Sequence, residues 1–381
     1  MTKHHLIDRD GGSVGGVADD LLGLHATSNV TPYLSLFNRI RKFSPDDLTN
    51  ELYERDGLSR IRAMRGTFFL VTRHLRPMIE AATRSSTDRI NKTLDKAGIT
   101  SSEFRRLSKA IITSLSRGQK TLPEIKKDLS NTRLRTLDWR RGWRVTRRTN
   151  LGVVLQLLLL QHKVQSKPEP VDWKNIDWDG YGVRTFTRIT KVTYEIVSPI
   201  PITISDVERA RTKLAELYVK RYGPVSVDDV AWWLDEPKPS TYQLLNGFTE
   251  RVVRIGIDGL SEEFLVHRDD FEALHNPCED KIVTRFLPYE DAYSKGFKVK
   301  NRIVAHSLER VVYPMGNALP TVTLGGRIVG TWSIVGREKI SQIVLRKLAR
   351  IPSKYQTQII EEGERLASFL FEEHEAQISI K

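Results

Sequence analysis

The stretch Gly23-Leu24-His25-Ala26-Thr27, continued by Thr31-Pro32-Tyr33-Leu34 and closed by Met64-Arg65-Gly66-Thr67-Phe68-Phe69-Leu70-Val71, decides how this chain is read. Thr31 ahead of Pro32 has the form of a helix N-cap with proline in the first turn. Tyr33, Leu34, Phe37 and Ile40 then recur at helical spacing. This places His25 and Thr27 in a loop, or at a helix edge, just before a helix N-terminus, where polar groups can meet an anion or a water. Side chains at i and i+2 on extended backbone face one side, so the two could hold a water jointly. The same residues also read as an ordinary capping or half-buried histidine and a turn threonine.

Working outward, Ser44-Pro45-Asp46-Asp47 starts a helix with acidic residues at the positive end of its dipole. Residues 58–61 and 67–72 read as strands. Ser101-Ser102-Glu103-Phe104 begins a helix, and Thr121 with Glu124 forms a capping box for the next, which together make a helix-turn-helix pattern. Residues 151–160 form a buried apolar helix, and Ser166-Lys167-Pro168-Glu169-Pro170 reads as a linker because of its two prolines. A further helix-turn-helix starts near Ser205, stops at Tyr222-Gly223-Pro224 and resumes at Ser226 through Trp232 and Trp233. Asp258-Gly259 between residues 252–257 and 263–266 is a hairpin signal. Beyond residue 280 the short strands 282–287, 303–304, 310–313, 321–324 and 328–334 suggest a small barrel or sandwich, closed by a helix over 359–371 whose glutamates form a solvated face.

Sixty Lys+Arg against 47 Asp+Glu give 381 residues a formal charge of +13, which points first to a polyanion. A basic membrane-surface protein is the alternative. Cys278 is the single cysteine, so an intramolecular disulfide and a zinc-cysteine cluster are excluded, and the cytoplasm is the natural compartment. Residues 1–20 lack the apolar core of a signal peptide, and residues 151–160 are too few to span a bilayer. His4, His5 and Asp8 form a flexible terminal cluster whose spacing suits no preformed metal site.

Gly23-Leu24, Pro32-Tyr33-Leu34 and Arg65-Gly66-Thr67, together with Tyr222-Gly223-Pro224, Ala231-Trp232-Trp233, Leu287-Pro288, Asp291, Gly296-Phe297-Lys298, residues 317–322 and residues 326–332, resemble in shared order the winged-helix DNA glycosylases of the AlkZ/YcaQ family. The resemblance covers nearly the whole chain. His25 and Thr27 stand where that family carries paired glutamines, or Gln and Asp. It implies an α+β fold of tandem winged-helix modules over residues 1–98, 99–170 and 171–278, followed by the β-domain over 279–381. It further implies a monomer on double-stranded DNA, with no cofactor, no metal and no obligate protein partner. The implied reaction is hydrolysis of the N-glycosidic bond of N7- or N3-alkylated purines, extending to interstrand crosslinks.

Such a bond breaks through an oxocarbenium-like transition state, and a base alkylated at N7 or N3 is already a good leaving group. What remains is to hold a water near C1′. A neutral His25 can accept from that water, and the Thr27 hydroxyl can donate and accept. No lysine lies in the motif to serve a Schiff-base mechanism. Glu290 and Asp291 are further acidic candidates, not taken as catalytic; the resemblance at Asp291 implies a structural or DNA-facing role, and a surface or turn carboxylate is the alternative. For phosphate contact the candidates are Arg65 and, in the basic run 133–148, Arg140, Arg141, Arg144, Arg147 and Arg148. Trp139 and Trp143, within that run, either stack on bases or belong to the core of a helix face. A non-enzymatic winged-helix regulator, or an RNA-binding module, remains the alternative function.

Overall fold

Capping chemistry sets most of the helix starts in this computed structural model, which describes residues 1–141, 144–173, 176, 178, 181, 191–197, 203–274, 281–337, 340–371 and 376–381. Trp143 and Cys278 lie outside the described residues, as do the side chains of Arg140, Arg141 and Arg144. Among the described residues no helix is long and apolar enough to cross a membrane.

The N-terminal region packs helices Val14–Asp20, Thr31–Phe37 and Pro45–Tyr53 on a three-stranded antiparallel sheet. Its strands are Leu24–His25, Phe68–Thr72 and Leu58–Arg62, with Phe68–Thr72 in the centre. Leu24 lies opposite Leu70, and His25 opposite Phe69. Gly23 makes the approach possible. Its φ is +109°, and a Cβ there would sit 3.2 Å from the Leu70 carbonyl oxygen. Ser44 caps the third helix, in a capping box with Asp47. Thr31 does not cap the second. Val30 is the N-cap, and the Thr31 hydroxyl instead donates to the Tyr289 carbonyl at 2.9 Å.

The middle region is built on the helix Asn150–Leu160, whose residues are apolar on nearly every face and are packed between Leu107, Ile111 and Ile125 of neighbouring helices. Thr121 and Glu124 do form the capping box that starts the helix Leu122–Asp128 after the helix Ser101–Leu115. Residues 166–170 are not a free linker. Val164–Pro168 is a strand hydrogen-bonded to Val192–Ile196, which pairs in turn with Lys120–Thr121. Pro168 is tolerated because that strand lies at the sheet edge. The basic run folds as a two-stranded hairpin, Thr136–Arg141 with Arg144–Thr149, and not as a helix.

Thr203 with Asp206 and Ser226 with Asp229 cap the helices Ile204–Tyr222 and Val227–Leu234. The helix Lys238–Asn246 follows, and then the strands Val252–Ile255 and Phe264–His267 pair about the turn at Asp258-Gly259. Gly259 takes φ +78° there. Trp233 is 2% exposed and stacks on Tyr218, while Trp232 on the adjacent helix position is only half-buried.

Among the described residues, the C-terminal strands form neither a barrel nor a sandwich. Thr284–Leu287, Thr321–Leu324, Arg327–Arg337, Ile340–Lys347 and Ala376–Ile380 make one open five-stranded sheet in that order, and the last pair is parallel. The helix Gln356–Leu370 covers it through Ile359, Leu366 and Leu370. Residues 303–304 lie in a turn, and 310–313 fall largely in the short helix Glu309–Val312. The acidic face of the closing helix is not wholly solvated. Glu362 is buried, pairing with Arg9 and Arg365.

The N-terminal histidines are packed as well. His4 is buried edge-on against Tyr222 and Tyr293, and His5 bridges Asp10 at 3.0 Å and Asp20 at 2.7 Å.

Candidate active site

His25 ends its short strand, and the extended pairing carries on to Ala26, whose N–H donates to the Phe68 carbonyl at 2.8 Å. Arg60 fastens the segment. Its Nε donates to the Ala26 carbonyl at 3.1 Å, its Nη1 reaches Ser166, and its guanidinium lies over the Phe68 ring. Thr27 follows at a half-buried bend.

The surroundings of His25 differ from an open cleft. The residue is 4% exposed, and its ring meets Phe69 edge-on at 5.3 Å. Neither ring nitrogen has a hydrogen-bond partner among the described residues. Glu290 Oε2 lies 3.5 Å from His25 Nε2. Unpaired buried polar atoms are uncommon because desolvation is costly, so this ring calls for a functional or structural explanation. Burial pushes its pKa down to about 4. Glu290 raises it, whereas Arg65, Lys295 and Arg60 lower it further. The imidazole is therefore neutral at physiological pH, the form that can accept a proton.

Around it sits a buried charge cluster drawn from distant parts of the chain. Glu290 Oε1 accepts from Lys295 Nζ at 3.0 Å and from the Ala318 N–H at 2.5 Å. Lys295 also donates to the Gly316 carbonyl. Arg65 lies over Trp232, 4.1 Å from the ring centroid, and its Nη1 is buried without a hydrogen bond. Burial lowers the Arg65 pKa, and the Glu290 carboxylate counters this. Lys300 donates to the Ser294 and Phe297 carbonyls and faces both Trp232 and Tyr313. Burial brings its pKa down to about 7, aided by Lys295 and Arg65. Arg65, Glu290 and Met315 all take positive φ, at 55°, 57° and 54°. Strained backbone of this kind clusters at functional sites.

Of the residues singled out in the sequence, His25, Arg65 and Glu290 thus converge. Asp291 does not join them. It is fully buried in a bidentate pair with Arg39, both contacts 2.8 Å, and accepts from Ser35 as well. That is a structural role, not a surface or turn carboxylate. Lys295 and Lys300 are not legible as site residues in the sequence, since nothing local distinguishes them from surface lysines. Among the described residues, no group of three or more His, Cys, Asp or Glu is placed to hold a metal.

In the basic hairpin, Arg147 is exposed. Arg148 is half-buried, donates to Gln156 and lies 4.6 Å from the half-buried Trp139 ring. Arg135, within the same basic run, is committed to Glu103.

The profile of the DNA glycosylase AlkZ-like family matches residues 18–369. Among solved structures, the chain is similar to Streptomyces sahachiroi DNA glycosylase AlkZ, with 19% identity and a TM-score of 0.72 over 100% of this chain and 97% of that one. That likeness is one of fold. No curated protein sequence matches the chain.

Proposed function

Because the chain belongs to the DNA glycosylase AlkZ-like family, we propose that it hydrolyses the N-glycosidic bond of N7- or N3-alkylated purines in duplex DNA, with His25 and Thr27 holding the attacking water. The observation that carries this reading is the His25 imidazole, kept neutral by burial and left without a hydrogen bond at either nitrogen. A base in that state can take a proton from water at the moment positive charge has passed to the sugar. A glutamine pair can only orient a water, whereas an imidazole can also accept its proton. Crosslinked alkylated purines belong to the same proposed substrate class. The ring is closed off in the free protein, so a flipped nucleotide must displace its neighbours to reach it. Base release from duplex DNA containing N7-methylguanine tests this reading.

A second reading is favoured by that same burial. A winged-helix protein that binds DNA without acting on it has no need of an accessible His25. It predicts DNA binding with no base release.

In either reading residues 1–98, 99–170 and 171–278 act as successive winged-helix modules on one monomer, residues 279–381 as the β-domain, and the hairpin Thr136–Thr149 as a phosphate-binding arm. Arg140, Arg141, Arg144, Arg147 and Arg148 are its basic residues. Affinity for duplex DNA is expected to fall steeply with salt. Replacing Arg140, Arg141 and Arg144 together by Ala should reduce the slope of log affinity against log salt by up to about 0.9 for each phosphate that is no longer neutralised. Titrations at several salt concentrations check this, and an unchanged slope removes the hairpin from the interface.

A further inference from the structure

Among the described residues, Glu290 is placed to give the His25 ring a direction. We infer that Glu290 is a positioning residue for His25: its carboxylate accepts the Nε2 proton, fixes the imidazole as the Nε2–H tautomer and leaves Nδ1 as the base. The chemistry of this inference rests on the glycosylase reading above, whereas its geometry does not.

The Glu290 side chain is pinned. Oε1 is held by the Ala318 N–H and by Lys295, and the Glu290 N–H donates back to the Ala318 carbonyl at 2.9 Å. These contacts turn Oε2 towards the ring, 3.5 Å from Nε2. The distance is just beyond a hydrogen bond, and catalytic contacts are commonly long before substrate binds. His25 and Glu290 side chains are 4% and 5% exposed, so bulk water does not compete for either group. Glu290 also holds a left-handed backbone, φ 57°, which a non-glycine residue adopts at some cost. The carboxylate is thereby aimed at the ring from the far end of the chain. In a neutral histidine, the nitrogen that keeps the proton is set by the hydrogen bond the ring makes.

In the supported step the C1′–N bond breaks, and its electron pair leaves on the purine, which departs neutral from its cationic alkylated form. The water oxygen bonds to C1′. One of its protons passes to His25 Nδ1, and the other remains on the new 1′-hydroxyl. The imidazolium is then paired with Glu290 until its proton returns to solvent.

Two measurements test the inference. The first is the nitrogen NMR spectrum of the histidine-labelled full chain, with His25 assigned from the His25→Ala variant. The Nε2–H tautomer is expected for the wild type, and the Nδ1–H tautomer overturns the inference whatever the protein's activity. The second is single-turnover excision of N7-methylguanine from pH 3 to 8 by wild type, Glu290→Gln and Glu290→Asp. Four charged groups face the ring: Glu290 raises its pKa, while Arg65, Lys295 and Arg60 lower it. Removing the Glu290 charge should therefore lower the plateau rate about ten- to a hundredfold. The acid limb should move to lower pH. Glu290→Asp should restore part of the rate, and DNA affinity should stay within about twofold. Equal plateau rates in wild type and Glu290→Gln, or a lower plateau with an unmoved acid limb, overturn the positioning role. A wild type with no excision overturns the catalytic step together with the glycosylase reading, and the tautomer still decides the dyad.

Discussion

His25→Ala is expected to lower single-turnover base excision by about a hundredfold or more, with duplex affinity changed no more than about twofold. The physical reason is the separation between binding and reaction. Duplex binding is proposed to rest on the basic surface, whereas the His25 ring is only 4% exposed and is proposed to act on the reacting water. A group that acts on the transition state alone changes the rate of the chemical step and leaves ground-state binding intact. Thr27→Val keeps the shape and deletes the hydroxyl, and should cost on the order of tenfold to a hundredfold. The pH dependence separates this histidine from a solvated one. Its proton-accepting form persists down to about pH 4, so activity should hold through the ordinary histidine range near 6.5 and fall only below pH 5. The stability effect has a matching sign. The native pKa lies below the unfolded one, so the unfolded chain binds more protons between pH 6.5 and about 4, and stability is lost as pH falls through that window. The contribution of this one ring is about 3 kcal/mol, at about 1.4 kcal/mol per pH unit. Rates and urea midpoints measured across pH 4 to 8 check both. A rate that declines with a midpoint near 6.5 contradicts the buried, neutral His25.

Asp291→Ala or Arg39→Ala is expected to destabilise the fold by about 3–5 kcal/mol, because either change leaves a fully buried charge without its partner. The two side chains are 0% exposed and exchange two hydrogen bonds of 2.8 Å. Asp291 also accepts from the Tyr293 N–H and from Ser35, and Arg39 donates to the Ser35 carbonyl. The pair ties the helix Thr31–Phe37 and its C-terminal extension to the segment that carries Glu290. Breaking the pair should therefore loosen the Glu290–His25 contact, and excision should fall along with stability. Urea unfolding followed by fluorescence gives the change in midpoint. A change under about 1 kcal/mol would show that water or rearrangement satisfies the remaining charge.

What the sequence disclosed depends on how local each interaction is. The capping boxes at Thr121 and Ser226, and the hairpin turn at Asp258-Gly259, are set by residues within three or four positions, and each is found where the local pattern puts it. Thr31 departs from its pattern because a distant acceptor, the Tyr289 carbonyl, takes the hydroxyl that the local residues assign to a cap. Val311, Val312 and Tyr313 favour strands by propensity, yet Tyr313 N–H bonds to the Glu309 carbonyl and the segment coils. Short apolar runs do not distinguish the two by periodicity. Pro168 suggests a break, and only the edge position of its strand, unknowable from the residue itself, makes it acceptable. The closing helix Gln356–Leu370 covers one face of the C-terminal sheet, where strand counting alone suggests a closed barrel or a second sheet. At the site the same rule holds. His25 and Arg65 stand in the motif and can be named from it, whereas the charges of Lys295 and Lys300 reach the motif only through tertiary contacts.

As proposed, this chain cleaves the bond between a damaged purine and its sugar, with His25 as the base. The most direct measurement is release of N7-methylguanine from duplex DNA, followed under single-turnover conditions with the wild-type chain and His25→Ala side by side. Release by the wild type, reduced about a hundredfold or more in the variant at equal DNA occupancy, is the predicted result. Tight binding with no release of this base or of an N3-alkylated purine contradicts the claim and leaves a DNA-binding protein. Equal release by both proteins contradicts the role of His25.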